Sequence, residues 1–558
     1  MNRRRFVRAA ALSVTALLAK APPHARSQSR QVHPMNQPDE VTALLNDQTA
    51  RLHSNDGFRW THRELIVDVQ QRDSGFAVEV EAPGGRLSEV SLRWKTYETP
   101  PLILNDHWER TYGDASWHSP QEGEILPWYF MGYRSGSASG FGVKTGAKSM
   151  CSWKVERGTL ILTLDTRSGG EGVRLGERRL LAAEIVATNS LPDESPFQTL
   201  RRFVGMMCQR PRMPAQPAYG INDWYFTYGQ NSADLILRHT SLMAPLAVGL
   251  ANRPVSVIDA GWFRKSPSSP DDCAWGDSMA EANSRFGDMA TLAGKIRQLG
   301  MRPAIWTRPL CGSHADPPTV MLPLIKGRQQ HQPVLDPTIP ENLERITNIF
   351  RLYRQWGYEL VKFDFTTFDL FGKWGFEMLR DRAITPSSWN MNDSSRTNAE
   401  IVLALYETIR EAAGDISIIS CNTFSHLSAG FFELNRIGDD TSGVEWARTR
   451  KMGVNTLAFR GVHHGAFYAA DGDCVGLTTK VPWDKNRQWM ELVAASGTPL
   501  FISAQPEAIG DPQKSAIREA FALASRPLPV GEPLDWMDRP VPTSWRLNGR
   551  PRKFDWDD

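Results

Sequence analysis

Hydrophobic and polar residues alternate along residues 61–195. The alternation is clearest in the run from Phe76 to Glu81 and in the run from Thr159 to Leu164. Glycine-rich turns such as Ser168-Gly169-Gly170 separate these runs. A repeat of two residues places successive side chains on opposite faces of a strand, and turn-forming residues join neighbouring strands. The pattern predicts an antiparallel β-sandwich over residues 61–195.

A different repeat begins near residue 196. Three segments have the same order: an amphipathic helix, a glycine (Gly300, Gly357 or Gly414), then an apolar strand. Glycine ends a helix in the left-handed conformation, and an uninterrupted apolar strand is buried on both faces. Repeated units of this kind form either a doubly wound sheet or a barrel. Eight candidate strands, near residues 219, 255, 302, 360, 416, 434, 457 and 499, favour an α/β fold with a (β/α)8 barrel over residues 196–525.

The segments around these two domains have no such periodicity. Residues 28–60 are polar and are predicted to be a leader. Residues 526–558 are rich in proline and tryptophan, which predicts an extended C-terminal tail packed on the barrel.

Residues 1–27 have the features of an export signal. Arg3, Arg4 and Arg5 precede the alanine-rich run of residues 9–19, and Ala25-Arg26-Ser27 offers a cleavage site between small residues. The segment resembles a twin-arginine (Tat) signal peptide, which implies an exported protein, periplasmic or secreted, with no membrane span in its mature form. A disordered basic tail is the alternative.

Charge and cysteine spacing exclude several classes of protein. Removing residues 1–27 deletes six basic residues and no acid, so the formal net charge changes from +2 to −4. A mildly acidic chain has little to attract nucleic acid. The six cysteines form no Cys-x-x-Cys pair, and no glycine-rich phosphate-binding loop is present. The sequence therefore predicts neither a metal nor a cofactor.

Acids and aromatic residues follow several predicted barrel strands at the point where each strand ends. In a barrel these ends form the face on which active sites lie. Aromatic rings stack on the apolar faces of sugars, and carboxylates accept hydrogen bonds from hydroxyl groups. The strand ends therefore predict an oligosaccharide or glycoside as the substrate. The residues at these positions are Trp224, Asp259, Trp262, Trp306, Lys362, Asp364, Cys421, Asn422, Arg436, Asp439 and Asp440.

Lys362 and Asp364 make the most specific local pattern. Side chains two residues apart on a strand share a face, so both are expected at the barrel mouth, with Phe363 and Phe365 facing the helices. An ammonium group beside a carboxylate favours the ionised acid that a nucleophile requires. A structural ion pair is the alternative.

A second carboxyl group is available at Asp439 or Asp440. Because the two are adjacent, they point in opposite directions on a strand and only one can serve a given site. Glycoside hydrolysis requires two carboxyl groups that flank one bond. The ends of the fourth and sixth strands supply such a pair.

Two motifs resemble those of a known enzyme family. Val361-Lys362-Phe363-Asp364-Phe365 and Arg436-Ile437-Gly438-x-Asp440-Thr441 are similar to the nucleophile and acid/base motifs of the α-galactosidases (melibiases) of glycoside hydrolase families 27 and 36, and closer to those of family 36. Further matches spread the resemblance over about residues 215–475. It implies a retaining exo-glycosidase.

The resemblance also implies roles for individual residues. Asp364 corresponds to the nucleophile, and Asp440 rather than Asp439 to the acid/base, because the motif places the acid fourth after Arg436. The implied sugar contacts are Trp108, Trp224, Asp259, Trp262, Trp306, Lys362, Cys421, Asn422 and Arg436. Trp108 enters because the N-terminal domain of the family can lend aromatic residues to the pocket, although a buried corner of the sandwich is an alternative for it.

One departure from the family bears on the sugar. The family has two adjacent acids after the second strand, whereas this chain has Asp259-Ala260. Loss of one charged acceptor removes about 1.5–3 kcal/mol of hydrogen bonding. The expected alternatives are an altered sugar, such as a β-L-arabinopyranoside or an α-N-acetylgalactosaminide, a transglycosidase, and a carbohydrate-binding barrel without catalysis.

Overall fold

The computed structural model describes residues 35–73, 75–264, 278–328 and 333–557. The predicted signal peptide, residues 1–27, lies outside the described residues.

Antiparallel strands form the N-terminal part of the described chain in two sheets. The six-stranded sheet has the order β2-β1-β6-β12-β11-β8, and the seven-stranded sheet has the order β3-β4-β5-β13-β10-β9-β7. The strands are β1 (Glu40–Leu45), β2 (Gln48–Arg51), β3 (Arg59–His62), β4 (Leu65–Arg72), β5 (Gly75–Glu81), β6 (Leu87–Trp94), β7 (Leu102–Asn105), β8 (Leu126–Pro127), β9 (Tyr129–Arg134), β10 (Ser137–Val143), β11 (Met150–Glu156), β12 (Thr159–Asp165) and β13 (Leu180–Asn189).

The two sheets pack face to face through aromatic side chains. The ring of Trp153, in the six-stranded sheet, lies 6.0 Å from Phe130 and 6.4 Å from Phe141, both in the seven-stranded sheet. The predicted β-sandwich is confirmed, but it begins at Glu40 and not at residue 61. The first strands lie in the segment predicted to be a leader, where buried residues such as Val41 are too few to show a repeat.

The barrel follows as a parallel sheet with the order β22-β21-β20-β19-β18-β15-β14-β24-β23. Only Gly472 and Asp473 separate β22 from β23, so the two ends of this sheet are one interrupted strand that closes the barrel. The predicted fold class is confirmed. The strands after the sandwich are β14 (Tyr219–Asn222), β15 (Val255–Ile258), β16 (Phe263–Arg264), β17 (Ser278–Ala282), β18 (Arg302–Thr307), β19 (Leu360–Phe363), β20 (Ser417–Ser420), β21 (Leu434–Arg436), β22 (Ala469–Asp471), β23 (Cys474–Leu477) and β24 (Leu500–Ala504).

Helices surround the barrel strands. The first helix after the sandwich packs on β10 and β13 and begins with a capping box, in which the Ser195 hydroxyl accepts the N–H of Gln198 at 3.2 Å. The helices are α1 (Pro196–Met207), α2 (Trp224–Thr227), α3 (Ala233–Met243), α4 (Met289–Gln298), α5 (Pro340–Gln355), α6 (Thr366–Phe371), α7 (Gly375–Asp381), α8 (Asn398–Ala413), α9 (Ser425–Ser428), α10 (Trp446–Thr449), α11 (Asn455–Arg460), α12 (Trp483–Ala495) and α13 (Asp511–Ala524). Among the described residues no helix combines the length and the apolar composition that a membrane crossing requires.

The predicted seventh strand near residue 457 is wrong. That segment is α11, which continues from a π-helical turn at Arg450–Val454, and the seventh strand is formed by β22 and β23. The side chains from Met452 to Val462 are all buried. A short run that is buried on every side has no hydrophobic period, so its sequence does not distinguish a helix from a strand.

The C-terminal segment is a small sheet and not an extended tail. The strands β25 (Glu532–Pro533), β26 (Ser544–Leu547) and β27 (Arg550–Lys553) pair antiparallel. Asn548-Gly549, with φ of 47° and 76°, forms the turn between the last two strands, a dipeptide typical of tight hairpins. Trp536 packs on Trp117 of the N-terminal domain and on Phe459 of α11, so this segment joins the sandwich to the barrel.

Candidate active site

A small cavity of about 100 Å³ lies at the C-terminal ends of the barrel strands. Both carboxylates of the two motifs, Asp364 and Asp440, open into it. The residues that line the cavity are Arg110, Trp224, Asp259, Ala260, Trp306, Lys362, Asp364, Phe365, Trp374 and Asp440.

Regular strand geometry brings β19 to this cavity. Leu360 packs in the hydrophobic cluster inside the barrel, while Val361 and Phe363 pack in the cluster on the helix side. Lys362 therefore shares the inward face with Leu360 and reaches the cavity, as the two-residue spacing predicts. Phe365 is the exception. Its left-handed backbone, with φ of 67°, turns the chain so that its ring lines the cavity instead of facing the helices.

The carboxylate of Asp364 is held by neighbours on two strands. Its backbone N–H donates to the Thr307 carbonyl at 3.0 Å, at the end of β18. One carboxylate oxygen accepts the Phe365 N–H at 2.8 Å, and the other lies 3.4 Å from the indole nitrogen of Trp306. The next residue, Phe365, has a left-handed φ, which is uncommon in a residue other than glycine and marks a constrained site. This constraint fixes the direction of Asp364.

Lys362 forms its ion pair with Asp259 and not with Asp364. Its Nζ lies 2.7 Å from Asp259 Oδ2, which also accepts a hydrogen bond from Asn222 at 2.6 Å. Burial disfavours the charged amine, but the Asp259 carboxylate holds the pKa of Lys362 well above its usual value. The lysine is therefore a fixed positive charge in a cavity that also contains Asp364.

Asp440 lies between two arginines. Its Oδ1 is 3.1 Å from Arg436 Nη2 and 3.9 Å from Arg110 Nη1. Burial works to raise the pKa of Asp440, but the charges of Arg436, Arg110 and Lys362 outweigh it and lower the pKa to about 2. With no sugar present, Asp440 is ionised at neutral pH.

The neighbouring acid, Asp439, points away from the cavity. Its two oxygens lie 2.8 Å from Arg110 Nη2 and 2.8 Å from Arg448 Nη2. Asp440 lines the cavity and Asp439 does not, so Asp440 is the member of the pair that faces it.

A loop of the β-sandwich completes the wall beside Asp440. Thr111 forms a parallel bridge with Gly438: its N–H donates to the Ile437 carbonyl at 3.1 Å, and its carbonyl accepts the Asp439 N–H at 2.9 Å. This pairing places Arg110 in the cavity. The sandwich therefore contributes a cation to the site.

Trp108, the aromatic residue predicted from this loop, does not line the cavity. It is buried in the sandwich, and its ring packs edge-on against Trp128 at 5.1 Å. The alternative of a buried corner describes its position.

Glu109 lies behind the cavity on the same loop. Its carboxyl group accepts hydrogen bonds from the Asn422 side chain at 2.6 Å and from the Tyr112 hydroxyl. Burial raises the pKa of Glu109 to about 7, although the Arg110 charge opposes the shift. A buried carboxyl of this kind gains a proton just below neutral pH.

The structure divides the residues predicted to contact sugar into two groups. Trp224, Asp259, Trp306 and Lys362 line the cavity, whereas Trp108, Trp262, Cys421, Asn422 and Arg436 do not. Three of these outer residues, Trp262, Cys421 and Arg436, contact residues that line the cavity. The Trp262 indole N–H donates to the Trp306 carbonyl at 2.8 Å, and Cys421 Sγ lies 3.7 Å from Arg110 Nη1 and 3.8 Å from Arg436 Nη1.

Three cavity residues, Arg110, Phe365 and Trp374, were missed by sequence reasoning. The Trp374 ring stacks on Phe368 at 4.6 Å, and the Arg110 guanidinium lies 5.8 Å from its centre. Trp374 follows the short helix α6 and has no periodic pattern around it, so the sequence carries no local signal for its position.

No family model and no curated protein matches this chain. Solved structures do. The α-galactosidase TtGalA of Thermus thermophilus, in complex with p-nitrophenyl α-D-galactopyranoside, is 17% identical with a TM-score of 0.59, over 92% of this chain and 98% of that one. The family 36 α-galactosidases AgaA and AgaB of Geobacillus stearothermophilus are both 14% identical, with TM-scores of 0.55 and 0.56, and cover 85% and 88% of this chain and 67% and 75% of their own. At these identities the comparison shows that the chain shares the fold of family 36 α-galactosidases.

Proposed function

We propose that the protein is an exported retaining exo-glycosidase that hydrolyses terminal α-galactoside-like residues. One observation carries the proposal: Asp364 and Asp440 open into a single small cavity at the catalytic face of the barrel. The shared fold supports it, because structures with that fold include TtGalA with p-nitrophenyl α-D-galactopyranoside or with stachyose.

The two carboxylates divide the reaction between them. Asp364 attacks the anomeric carbon and forms a covalent glycosyl-enzyme while Asp440 protonates the departing glycosidic oxygen. Asp440 then removes a proton from water, which attacks the same carbon and releases the sugar and Asp364. Trp224, Trp306, Lys362 and Asp259 hold the sugar in this scheme.

Asp440 must gain a proton before it can act as an acid. Its pKa of about 2 leaves it ionised in the free protein, and its side chain is 39% exposed. A sugar that fills the cavity displaces the water from this carboxylate, and desolvation favours the neutral acid. We therefore expect the pKa of Asp440 to rise in the substrate complex and kcat to be highest on the acid side of neutrality.

Ala260 makes the identity of the sugar an open part of the proposal. Ala260 lines the cavity next to Asp259, and its side chain offers no acceptor. A sugar that lacks one hydroxyl, or carries a substituent at that position, suits this wall better than galactose does. A β-L-arabinopyranoside and an α-N-acetylgalactosaminide belong in the substrate panel beside the α-galactoside.

Hydrolysis of 4-nitrophenyl glycosides by the variants tests the assignment. Asp364→Asn should lower kcat by about 10⁴-fold or more while the circular dichroism spectrum stays native. Azide should restore turnover of Asp440→Asn by replacing water, and the glycosyl azide should keep the configuration of the substrate. Asp439→Asn should not respond to azide. A proton NMR time course of the first sugar released by the unmodified protein should show retention, and activity in Asp364→Asn would contradict the scheme.

A carbohydrate-binding barrel without catalysis is the second candidate. The ionised state of Asp440, held by two arginines, favours it because an ionised acid cannot protonate a leaving group. Calorimetry that shows sugar binding, with no hydrolysis across the panel, would support this candidate. Transglycosylation is separated from hydrolysis by product analysis with acceptor sugars, because water and a sugar hydroxyl compete for the same intermediate.

Export is tested independently of activity. If residues 1–27 are a twin-arginine signal, replacing Arg4 and Arg5 by lysine should retain the protein in the cytoplasm with its signal uncleaved. Unchanged cell fractionation of this variant would contradict export by that route.

A further inference from the structure

The interruption of the seventh barrel strand places a carboxylate behind Asp440. Asp473 lies between β22 and β23 with a left-handed φ of 74°, and its side chain is 3% exposed. Its Oδ2 accepts hydrogen bonds from the Thr441 N–H at 2.8 Å, the Thr441 hydroxyl at 3.0 Å and the Tyr225 hydroxyl. Thr441 follows Asp440 directly, so Asp473 holds the backbone of the acid/base candidate.

The same oxygen of Asp473 also shares an arginine with Asp440. Arg436 Nη2 lies 3.0 Å from Asp473 Oδ2 and 3.1 Å from Asp440 Oδ1. The second cation beside Asp440 has a similar arrangement, because Arg110 pairs with Asp439 at 2.8 Å. Each of the two arginines is therefore balanced by a carboxylate that lies outside the cavity.

This balance bears on the protonation of Asp440. The charged or titratable groups that face Asp440 or share its cavity are Arg110, Tyr225, Asp259, Lys362, Asp364 and Arg436. Lys362 is already paired with Asp259 at 2.7 Å. The state of Asp440 then depends on how much of the Arg436 and Arg110 charge their outer partners neutralise, since an unbalanced cation stabilises the anion.

We propose that Asp473 is a positioning residue for the reaction: by neutralising Arg436 and fixing Thr441, it allows Asp440 to take up the proton that it later donates. Asp439 has the same relation to Arg110. This inference rests on the proposed function, because it assigns to Asp440 the role of the acid. Asp473 itself does not line the cavity, so we expect it to act through Arg436 and Thr441 and not through the sugar.

The variant Asp473→Asn tests this proposal, because it removes the charge and keeps the shape and one acceptor oxygen. With Arg436 unbalanced, Asp440 should hold its anion more tightly. We expect the alkaline limb of the kcat profile to move down by about one pH unit. Turnover of alkyl glycosides, whose leaving groups require a proton, should fall about tenfold more than that of 2,4-dinitrophenyl glycosides, whose leaving groups do not.

Glu433→Gln is the matched control. Glu433 is a buried carboxylate that pairs with Arg410 at 2.9 Å just before β21, at the end of that strand opposite Asp440. The control should lose comparable thermal stability with no change in the pH limb or in the preference for leaving groups.

Each outcome decides the inference. If Asp473→Asn loses activity equally on both classes of glycoside and keeps its pH limb, Asp473 is only a structural residue and the inference is wrong. If that variant does not fold, Asp439→Asn tests the same balance through Arg110 and should shift the limb in the same direction. If the unmodified protein hydrolyses nothing in the panel, the proposed function fails and takes this inference with it; activity that depends on Asp440 but not on Asp473 or Asp439 overturns the inference alone.

Discussion

The cavity has two walls that are built in different ways. We call Asp259, Trp306, Lys362 and Asp364 the strand wall, because each lies in a barrel strand or directly after one. We call Arg110, Trp374 and Asp440 the loop wall, because these residues lie on segments outside the strands. Hydrogen bonds between adjacent strands position the first set, whereas contacts between distant parts of the chain position the second.

The walls also differ in how they balance charge. In the strand wall Lys362 and Asp259 form one buried pair at 2.7 Å. In the loop wall Asp440 faces two arginines whose other partners lie outside the cavity. In the proposed reaction, we expect the strand wall to hold the sugar rigidly and the loop wall to set the protonation of Asp440.

The largest effect is expected from breaking the pair in the strand wall. Lys362→Met leaves the Asp259 carboxylate buried without a counter-charge, which costs about 3–5 kcal/mol in the free energy of unfolding. Loss of the ammonium also removes a sugar contact, so kcat/KM should fall by more than about a hundredfold. Urea denaturation and initial rates measure the two effects. Adding Asp259→Asn should recover part of the stability and none of the activity; a single variant as stable as the unmodified protein would show that the pair is not needed for folding.

The next effect concerns the pH dependence of stability behind the loop wall. The pKa of Glu109 is raised to about 7 in the folded protein from an ordinary 4.5. The stability that a carboxyl with a raised folded pKa contributes is fully present below about pH 4.5, falls as the pH rises above that value, and is lost once the pH has passed about 7. The loss is about 3 kcal/mol for Glu109.

Glu109→Gln, a neutral analogue of the protonated acid, should abolish that part of the pH dependence. Urea denaturation between pH 4.5 and 8 measures it as the difference between the two proteins. Asp223 and Asp471, whose pKa values burial also raises, to about 7 and about 6, contribute to both proteins and cancel. Parallel curves for the two proteins would show that Glu109 is ionised throughout.

The difference between the walls also explains why the sequence predicted the positions of strand-wall residues but not that of Arg110 in the loop wall. A strand fixes which side chains share a face, so the positions of Lys362 and Asp364 follow from their spacing alone. The loop wall has no such rule: Arg110 reaches the cavity through the bridge of Thr111 with Gly438, a pairing across more than 300 residues. The choice of Asp440 as the acid/base came from a family motif and stays a prediction; the structure shows that Asp440, and not Asp439, lines the cavity.

The predicted sugar contact of Trp262 depends on side-chain packing, which the sequence pattern does not show. Trp262 follows β15 as a sugar-binding residue would, yet it is buried against Tyr353 and Trp356 and supports Trp306 from behind. An aromatic residue at a strand end is equally compatible with facing the cavity and with packing against the helices. The sequence does not state which ring faces the cavity and which faces the helices.

A smaller effect is expected from Arg110→Gln in the loop wall. Asp439 keeps Arg448 as a partner at 2.8 Å, so the stability should change little. Loss of the Arg110 cation from the cavity lining should lower kcat/KM by about 10- to 100-fold. Removing a cation near Asp440 makes its protonation easier, so the alkaline limb of kcat should move to higher pH, opposite to the shift expected for Asp473→Asn. Arg448→Gln leaves Asp439 paired with Arg110 alone, so its alkaline limb should not move to lower pH. A downward shift in Arg110→Gln would contradict the charge balance.

The smallest effect is expected at Trp374, on the rim of the loop wall. Its ring stacks on Phe368 at 4.6 Å and is only partly buried, so Trp374→Ala removes a stacking surface without opening a cavity in the core. We expect KM to rise by up to about tenfold, with kcat and the free energy of unfolding nearly unchanged. Trp374→Phe should lie between the two proteins.

Truncation of Trp306 to alanine, in the strand wall, is compared with truncation of Trp374 in the loop wall. Trp306 is buried to 1% exposure, so Trp306→Ala should cost about 3–5 kcal/mol in stability besides its effect on KM. Thermal denaturation and Michaelis–Menten kinetics of both variants separate the walls. If Trp374→Ala destabilises the protein as much as Trp306→Ala does, the rim is part of the core, and the division into a rigid strand wall and an adjustable loop wall fails. If only KM responds at Trp374, the loops can change the sugar preference while the strands keep the chemistry.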